Sequence, residues 1–359
     1  MNTRSRAFLA RLGIAHPIIQ APMGGGGSTP ALAAAVSNEG GLGFLAAAYL
    51  TPPEIAGAID ELRKRTDKPF GVNLFCGGYE RAGEAGPVPP AMMALMAKHH
   101  AALGLAPPAP PQPQRDPAPA QIEAVLAARV PVFSFTFGIP SAEVIARFKA
   151  AGTYVMGTAT TVEEGRRLAA AGVDAIVAQG AEAGAHRGTF ASSFERAMVG
   201  IVALVPALAD AVAVPVIASG GIMDGRGIVA AEALGAVAVA LGTAFLVCDE
   251  AGVPEAYKTA ILGAAEHRTT LTRAFSGRPA RGIANAFLEE AEASGAIAPF
   301  PVQNALTRPM RTAAAKAGDT ERLSLWAGQG VRLARRMKAA ALVRVLIREI
   351  AETRLNLTS

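Results

Sequence analysis

Eight short apolar runs, each followed by a stretch of helical periodicity, predict a (β/α)8 TIM barrel, an α/β fold. The runs are 17–23, 41–48, 70–75, 130–137, 153–158, 175–179, 215–219 and 236–241. They lack polar alternation, as strands do when helices cover both faces of a parallel sheet. The 359 residues suffice for one such barrel with additions. The alternative, a doubly wound open sheet, rarely needs eight such regular units.

Composition agrees with a large aliphatic core. Hydrophobic types make up 51%, charged types 18% and aromatics 5%, which excludes disordered and collagen-like architectures. Capping residues mark the helices between the runs. Thr29 with Pro30 opens 31–38, Thr51 with Pro52 opens a helix reaching Arg65, and Ser141 caps 142–150. Thr161 with Glu164 reads as a capping box before 165–171, and Gly152 and Gly172 stop the helices ahead of them.

Two regions fall outside the repeat. Residues 77–120 hold a proline-rich tract, 107–113, beside a helical stretch at 91–103. Following the third strand, this insertion would stand on the catalytic face as a lid or wall, or be a plain surface extension. After the barrel, 283–317 and 319–353 read as extra helices. The expected division is therefore a barrel from 14–76 and 121–282, and a substrate-capping small second domain from 77–120 and 283–359.

The formal charge is +5. Arg332, Arg335, Arg336, Lys338, Arg344 and Arg348 cluster near the end at helical spacings. Without interleaved aromatics they read as a solvated helix face, so no nucleic-acid partner is expected, and the modest positive balance suits a small anionic ligand. Cys76 and Cys248 are far apart and show no metal-ligand spacing. No apolar run has the length of a signal peptide or a membrane span, so a cytoplasmic protein without a membrane partner is the expectation.

Barrel active sites are built from the segments just after each strand. Here these supply Met23 with the Gly24–Gly27 run, Asn73, Gln179 with the loop to Gly188, Ser219-Gly220-Gly221, and Gly242-Thr243. The last two turns follow the seventh and eighth strands, where barrels commonly hold a phosphate on backbone N–H groups, so a phosphate-bearing cofactor is expected. Two glycine patterns are decoys. Residues 41–46 fit the dinucleotide fingerprint but lie within a strand, and 24–27 lack the Lys-Ser/Thr of a nucleotide loop. Of five histidines, His186 alone falls on a strand-end loop, flanked by Gly184 and Gly188. Its ordinary pKa suits it to accept a carbon-bound proton, and a loop-stabilising hydrogen bond is the competing role.

As an ordered set these segments resemble the nitronate monooxygenases. The resemblance runs from residue 14 to about 340 and rests on Gln20-Ala21-Pro22-Met23, Pro69 to Leu74, Gln179 to Gly188, Ala218 to Ile222 and Leu241 to Leu246, with Leu325 to Gly330 similar in character. It implies a barrel that holds FMN without a metal. Its FMN contacts would come from Met23, Asn73, Gln179, Gly184, Gly221, Leu241, Gly242 and Thr243, beside the Ser219-Gly220 turn, with His186 as catalytic base. It also implies the reaction: nitroalkanes and nitronates, propionate 3-nitronate among them, oxidised with dioxygen to carbonyl compounds and nitrite. An anionic nitronate would suit Arg187. The family usually has Gly-Gly-His-Arg-Gly where this chain has Gly184-Ala185-His186-Arg187-Gly188, so the Ala185 methyl would narrow the substrate space. NADH-dependent quinone reductases and flavin-type enoyl-acyl carrier protein reductases share the Ser-Gly-Gly and Gly-Thr turns, and a scaffold barrel without catalysis is a third reading. Either a monomer or a homodimer fits.

Overall fold

A computed structural model describes residues 3–79 and 87–357. Residues 80–86 of the expected insertion and 358–359 of the expected cap lie outside the described residues.

All eight predicted strands form, as β1 (Ile18–Gln20), β2 (Gly43–Ala46), β3 (Phe70–Phe75), β4 (Val132–Thr136), β5 (Tyr154–Ala159), β6 (Ala175–Gln179), β8 (Val216–Ser219) and β9 (Ala238–Leu241). They make one parallel sheet in the order β1-β9-β8-β6-β5-β4-β3-β2. Its two edges meet: the Leu42 N–H donates to the Ile18 carbonyl at 3.0 Å and the Gln20 N–H to the Leu42 carbonyl at 2.9 Å. The sheet is thus a barrel, and the open-sheet alternative is excluded.

Strand alternation divides the core in two. Ile19, Leu42, Phe44, Val132, Tyr154 and Met156 point inward and pack with Phe8, Leu9 and Leu12 of the helix Thr3–Leu12, which plugs the end where the strands begin. The alternate residues, such as Val72, Phe133, Val155 and Ile176, pack outward against the helices. Each such buried side chain contributes roughly 1.5–3 kcal/mol.

The helix starts follow the capping logic. The Thr29 hydroxyl accepts from the Leu32 N–H at 3.0 Å and that of Ser141 from Val144 at 3.3 Å, and the Glu54 carboxylate accepts from the Thr51 N–H at 2.7 Å. The expected capping box at Thr161 is half right. The Thr161 hydroxyl accepts from the Glu164 N–H at 3.2 Å, but the buried Glu164 carboxylate accepts from the N–H groups of Thr160, Phe190 and Ala191. It ties the loop after β6 to the barrel instead of closing its own helix.

A three-stranded antiparallel sheet was not expected. It joins β7 (Ala185–His186), β10 (Thr269–Thr272) and β11 (Ala280–Ile283), pairing β10 with β11 and β11 with β7. The C-terminal region also differs from two continuous helices. It forms helices Ala286–Ser294 and Val302–Ala317, short 3-10 turns, and the helix Ala339–Asn356. Met92 and Met96 of the helix Pro90–Ala102 pack with Phe275, Phe287, Leu306 and Met310 in a separate apolar cluster. The helix Ala339–Asn356 contributes nothing to this cluster. Its buried Leu342, Val343, Leu346 and Ile350 turn to the barrel, where it lies against helices Gly225–Ala233 and Pro30–Asn38 as the missing outer helix. The terminal arginines are held in ion pairs: Arg335 with Glu349, Arg336 with Asp249 and Glu255, and Arg344 with Glu39. Among the described residues no helix is long and apolar enough to cross a membrane.

Gly71 offers a test of the inner layer, because a Cβ there would overlap the Phe44 ring. Gly71→Ala should destabilise the barrel by about 1–3 kcal/mol, the usual cost of overpacking, read as a lower urea midpoint with unchanged slope. An unchanged midpoint would show that the inner layer has slack.

Candidate active site

At the carboxyl ends of the strands the inward layer turns polar. Asn73, Ser134, Thr136, Thr158, Gln179 and Ser219 occupy it and line one cavity of about 590 Å³. The volume is in the range of small-molecule sites. The Asn73 amide donates to the Ser134 hydroxyl at 2.8 Å, which fixes one side of this ring.

Met23, Asn73, Gln179, Gly184, His186, Ser219, Gly220, Gly221, Gly242 and Thr243, read from the sequence as site residues, all line this cavity. Leu241 is the exception. Strand alternation turns its side chain into the helix-facing core, and its carbonyl accepts from the Ala21 N–H at 2.9 Å. Several others carry structural duties too. The Gln179 amide donates to the His186 carbonyl at 2.9 Å and accepts from the Gly188 N–H at 2.8 Å, clamping the loop between them. The Thr243 hydroxyl accepts from the Gly328 N–H at 2.9 Å. Gly184 must lack a side chain because a Cβ would come within 2.6 Å of the Ala327 carbonyl carbon and the Gly328 nitrogen.

The turn after β8 shows why glycine is required there. Gly220 and Gly221 have φ of +129° and +69°, conformations that L side chains rarely adopt. Together with Gly242 and Gly25 they give the cavity walls of bare backbone, and a Cβ on Gly25 would meet nothing within 4 Å. Such an edge admits a flat or phosphate-bearing group close to the main chain.

His186 sits in an aromatic surround, with ring centroids 6.2 Å from Phe75, 5.7 Å from Phe137 and 5.6 Å from Trp326. Its Nε2 lies 2.8 Å from the Ser276 hydroxyl. Burial first, then the guanidinium groups of Arg278 and Arg311, push its pKa down to about 3, so the ring is neutral near pH 7. The preceding residue, Ala185, has φ +60° and lines the cavity. The left-handed backbone explains why glycine suits this position; a methyl here costs of order 1–3 kcal/mol and projects at the site.

Arg187, expected to suit an anionic ligand, does not line the cavity. Its guanidinium is buried and donates to the carbonyls of Gly180, Gln179 and Ala197 at 2.5, 3.0 and 3.1 Å. The cations on the cavity wall are Arg308, Arg311 and Lys316, from helix Val302–Ala317, and no Asp or Glu lines it among the described residues. The sequence reading missed this face, although Asn304, Arg308, Arg311 and Ala315 keep one-sided helical spacing. It also missed Tyr49 and Ser276, both on the wall. None of the described residues of 77–120 lines the cavity, and the helix Pro90–Ala102 buttresses helix Val302–Ala317 through Met92, whose sulfur lies 3.5 Å from the Gln303 amide.

The sequence profile of the nitronate monooxygenase family matches residues 6–349. A Staphylococcus aureus (strain Newman) protein named "Probable nitronate monooxygenase" is 43% identical over 341 residues, covering 94% of this chain and 95% of its own. Among solved structures, the nitroalkane oxidase from Streptomyces ansochromogenes is similar with a TM-score of 0.88 and 45% identity, covering 98% of this chain and 99% of its own. FabK from Thermotoga maritima follows with a TM-score of 0.78 and 32% identity, covering 99% of each chain.

The depressed His186 pKa makes stability depend on pH with a definite sign. The unfolded chain binds this proton with an ordinary pKa of about 6.5, so below that value it takes up more protons than the fold, and stability is lost as pH falls from there toward about 3. In the ligand-free protein the stability of the wild type relative to His186→Asn should therefore fall between pH 7 and pH 4, measured by urea denaturation at each pH. A difference constant with pH would show that His186 titrates normally.

Proposed function

Because the chain belongs to the nitronate monooxygenase family, we propose that it is an FMN enzyme oxidising alkyl nitronates, and neutral nitroalkanes by way of their nitronates, with dioxygen to carbonyl compounds and nitrite. The observation that carries the proposal is one cavity joining the neutral His186 ring, the glycine-walled turns after β8 and β9, and an arginine face free of carboxylates among the described residues.

The residues present fit a flavin mononucleotide. Gly220, Gly221, Gly242 and Thr243 would hold its phosphate end, and Met23, Asn73, Gln179 and Gly184 would border its ring. When bound, it would supply the electron acceptor that, with dioxygen, carries the redox chemistry. The chain's own residues do the rest. Arg308 and Arg311 attract and orient the anionic substrate, and a second carboxylate, as in propionate 3-nitronate, would suit a pair of cations. Arg311 is itself held in place, donating to the Asn304 side chain at 2.9 Å and the Thr307 hydroxyl at 3.1 Å. Phe75, Phe137 and Trp326 keep water from the reacting carbon. With a neutral nitroalkane, the His186 ring accepts the α-proton as the nitronate charge forms beside it.

The second reading is a flavin-dependent NADH reductase, which the similarity to FabK at 32% identity favours only weakly beside the 45% of the nitroalkane oxidase. One experiment separates them. The protein should purify yellow and release FMN on denaturation, and anaerobically a nitronate should reduce the bound flavin much faster than NADH does. Release of FAD would remove the cofactor assignment, and rapid bleaching by NADH would favour the reductase.

His186→Asn tests the base. Turnover of neutral nitroethane should fall by about 10² to 10⁴, the usual contribution of a general base, while a nitronate, already deprotonated, should lose far less. Equal losses with flavin retained would make His186 a positioning group.

A further inference from the structure

The Ser276 hydroxyl oxygen touches three groups: His186 Nε2 at 2.8 Å, the Arg278 carbonyl at 3.1 Å and the Arg278 N–H at 3.2 Å. A carbonyl only accepts and an N–H only donates. One proton arrangement satisfies all three contacts: the hydroxyl donates to the Arg278 carbonyl, and its oxygen accepts from the Arg278 N–H and from His186 Nε2–H. We propose that Ser276 is a positioning residue that holds His186 as the Nε2–H tautomer, leaving Nδ1 to take the substrate proton. This rests on the reading of His186 as the base.

The fold holds Ser276 firmly enough for the role. It is 2% exposed, in the connection between β10 and β11. Strand β11 pairs with β7, setting Ala280 opposite His186. Helix Val302–Ala317 secures the connection from its other side, where the Gln303 amide donates to the Ala274 carbonyl at 2.7 Å and the Thr307 hydroxyl to that of Phe275 at 2.6 Å. That helix also brings Arg308 and Arg311 to the cavity, so one element fixes both the substrate-facing cations and the hydroxyl behind the base. The Gln179 amide holds the His186 carbonyl, so backbone and ring are fixed independently.

In the step itself the α C–H bond breaks, its electron pair remains on the substrate as the nitronate, and the proton forms the new N–H bond at Nδ1. The resulting imidazolium keeps its Nε2–H on Ser276. The opposite tautomer would present an N–H to the carbon acid and could not react.

Nitrogen-15 NMR of the histidine-labelled holoenzyme reads the tautomer directly, with the His186→Asn spectrum identifying the His186 signals. The wild type should show Nε2 protonated and Nδ1 bare, Ser276→Ala a mixture of tautomers, and Ser276→Thr the wild-type pattern restored. Turnover of neutral nitroethane by Ser276→Ala should drop about three- to tenfold, a fraction of the roughly 10²–10⁴ that a general base supplies, with nitronate turnover nearly unchanged. A wild-type spectrum with Nδ1 protonated overturns the inference, and so does a Ser276→Ala spectrum identical to wild type. Failure of the base reading is seen separately, as equal loss of both substrates in His186→Asn.

Discussion

A buried guanidinium governs where the chain goes after β6, and the site is arranged around that excursion. Arg187 gathers the carbonyls of Gln179, Gly180 and Ala197, so both ends of the loop carrying His186 are drawn to one point behind the cavity wall. Each carbonyl left without a donor there would cost about 1–3 kcal/mol. No carboxylate pairs with it directly in these contacts; burial first and then Arg281 oppose its charge, and the nearby Glu164 and Glu182 favour it. Both carboxylates accept from backbone N–H groups, Glu164 at Phe190 and Ala191 and Glu182 at Ile201. The negative charge is thus spent on the frame, outside the cavity.

Within the barrel the same alternation that fills the closed end with Phe44, Tyr154 and Met156 carries Ser134, Thr158 and Gln179 to the open end. One period-two pattern therefore supplies both a packed base and a polar floor. The glycine turns after β8 and β9 and the strap Leu325 to Gly330 complete the wall, because a Cβ on Gly330 would meet the Met223 side chain at 2.6 Å and the Gly221 carbonyl at 2.7 Å. The strap and the turn after β8 are packed backbone to backbone, so neither can move far without the other.

The barrel was legible because buried parallel strands leave continuous apolar runs, and the lining of the candidate cavity was legible where it follows strand ends: the glycine turns, Asn73, Gln179 and His186. What stayed hidden had no local signal. Strands β10 and β11 carry Thr269, Thr270, Thr272 and Arg281, too polar and short to read as apolar runs. Ser276 matters only through His186, ninety positions away. Arg187, beside a histidine in sequence, read as a ligand group, and only the fold shows it turned away toward three carbonyls. The helical face of Asn304, Arg308 and Arg311 was periodic in the sequence, but nothing there said which surface it would meet.

On the proposed function, the cations pose a problem that an anionic substrate would itself resolve. Burial, Arg278 and Arg311 hold the free imidazole at about 3, well below its ordinary value, which corresponds to roughly 5 kcal/mol against protonation. Of these two cations Arg311 lines the cavity, where it would favour an anion. On the proposed function, a nitronate forming about 4 Å from the ring would return roughly 4 kcal/mol to the imidazolium at the effective dielectric of such sites. The two magnitudes are close, so the proton and the negative charge are affordable to the site as a pair and not singly. Without substrate His186 stays neutral with a lone pair available. On the proposed function, Arg311, which disfavours an isolated imidazolium, would also steady a nitronate beside the ring, and proton transfer would be tied to formation of that anion.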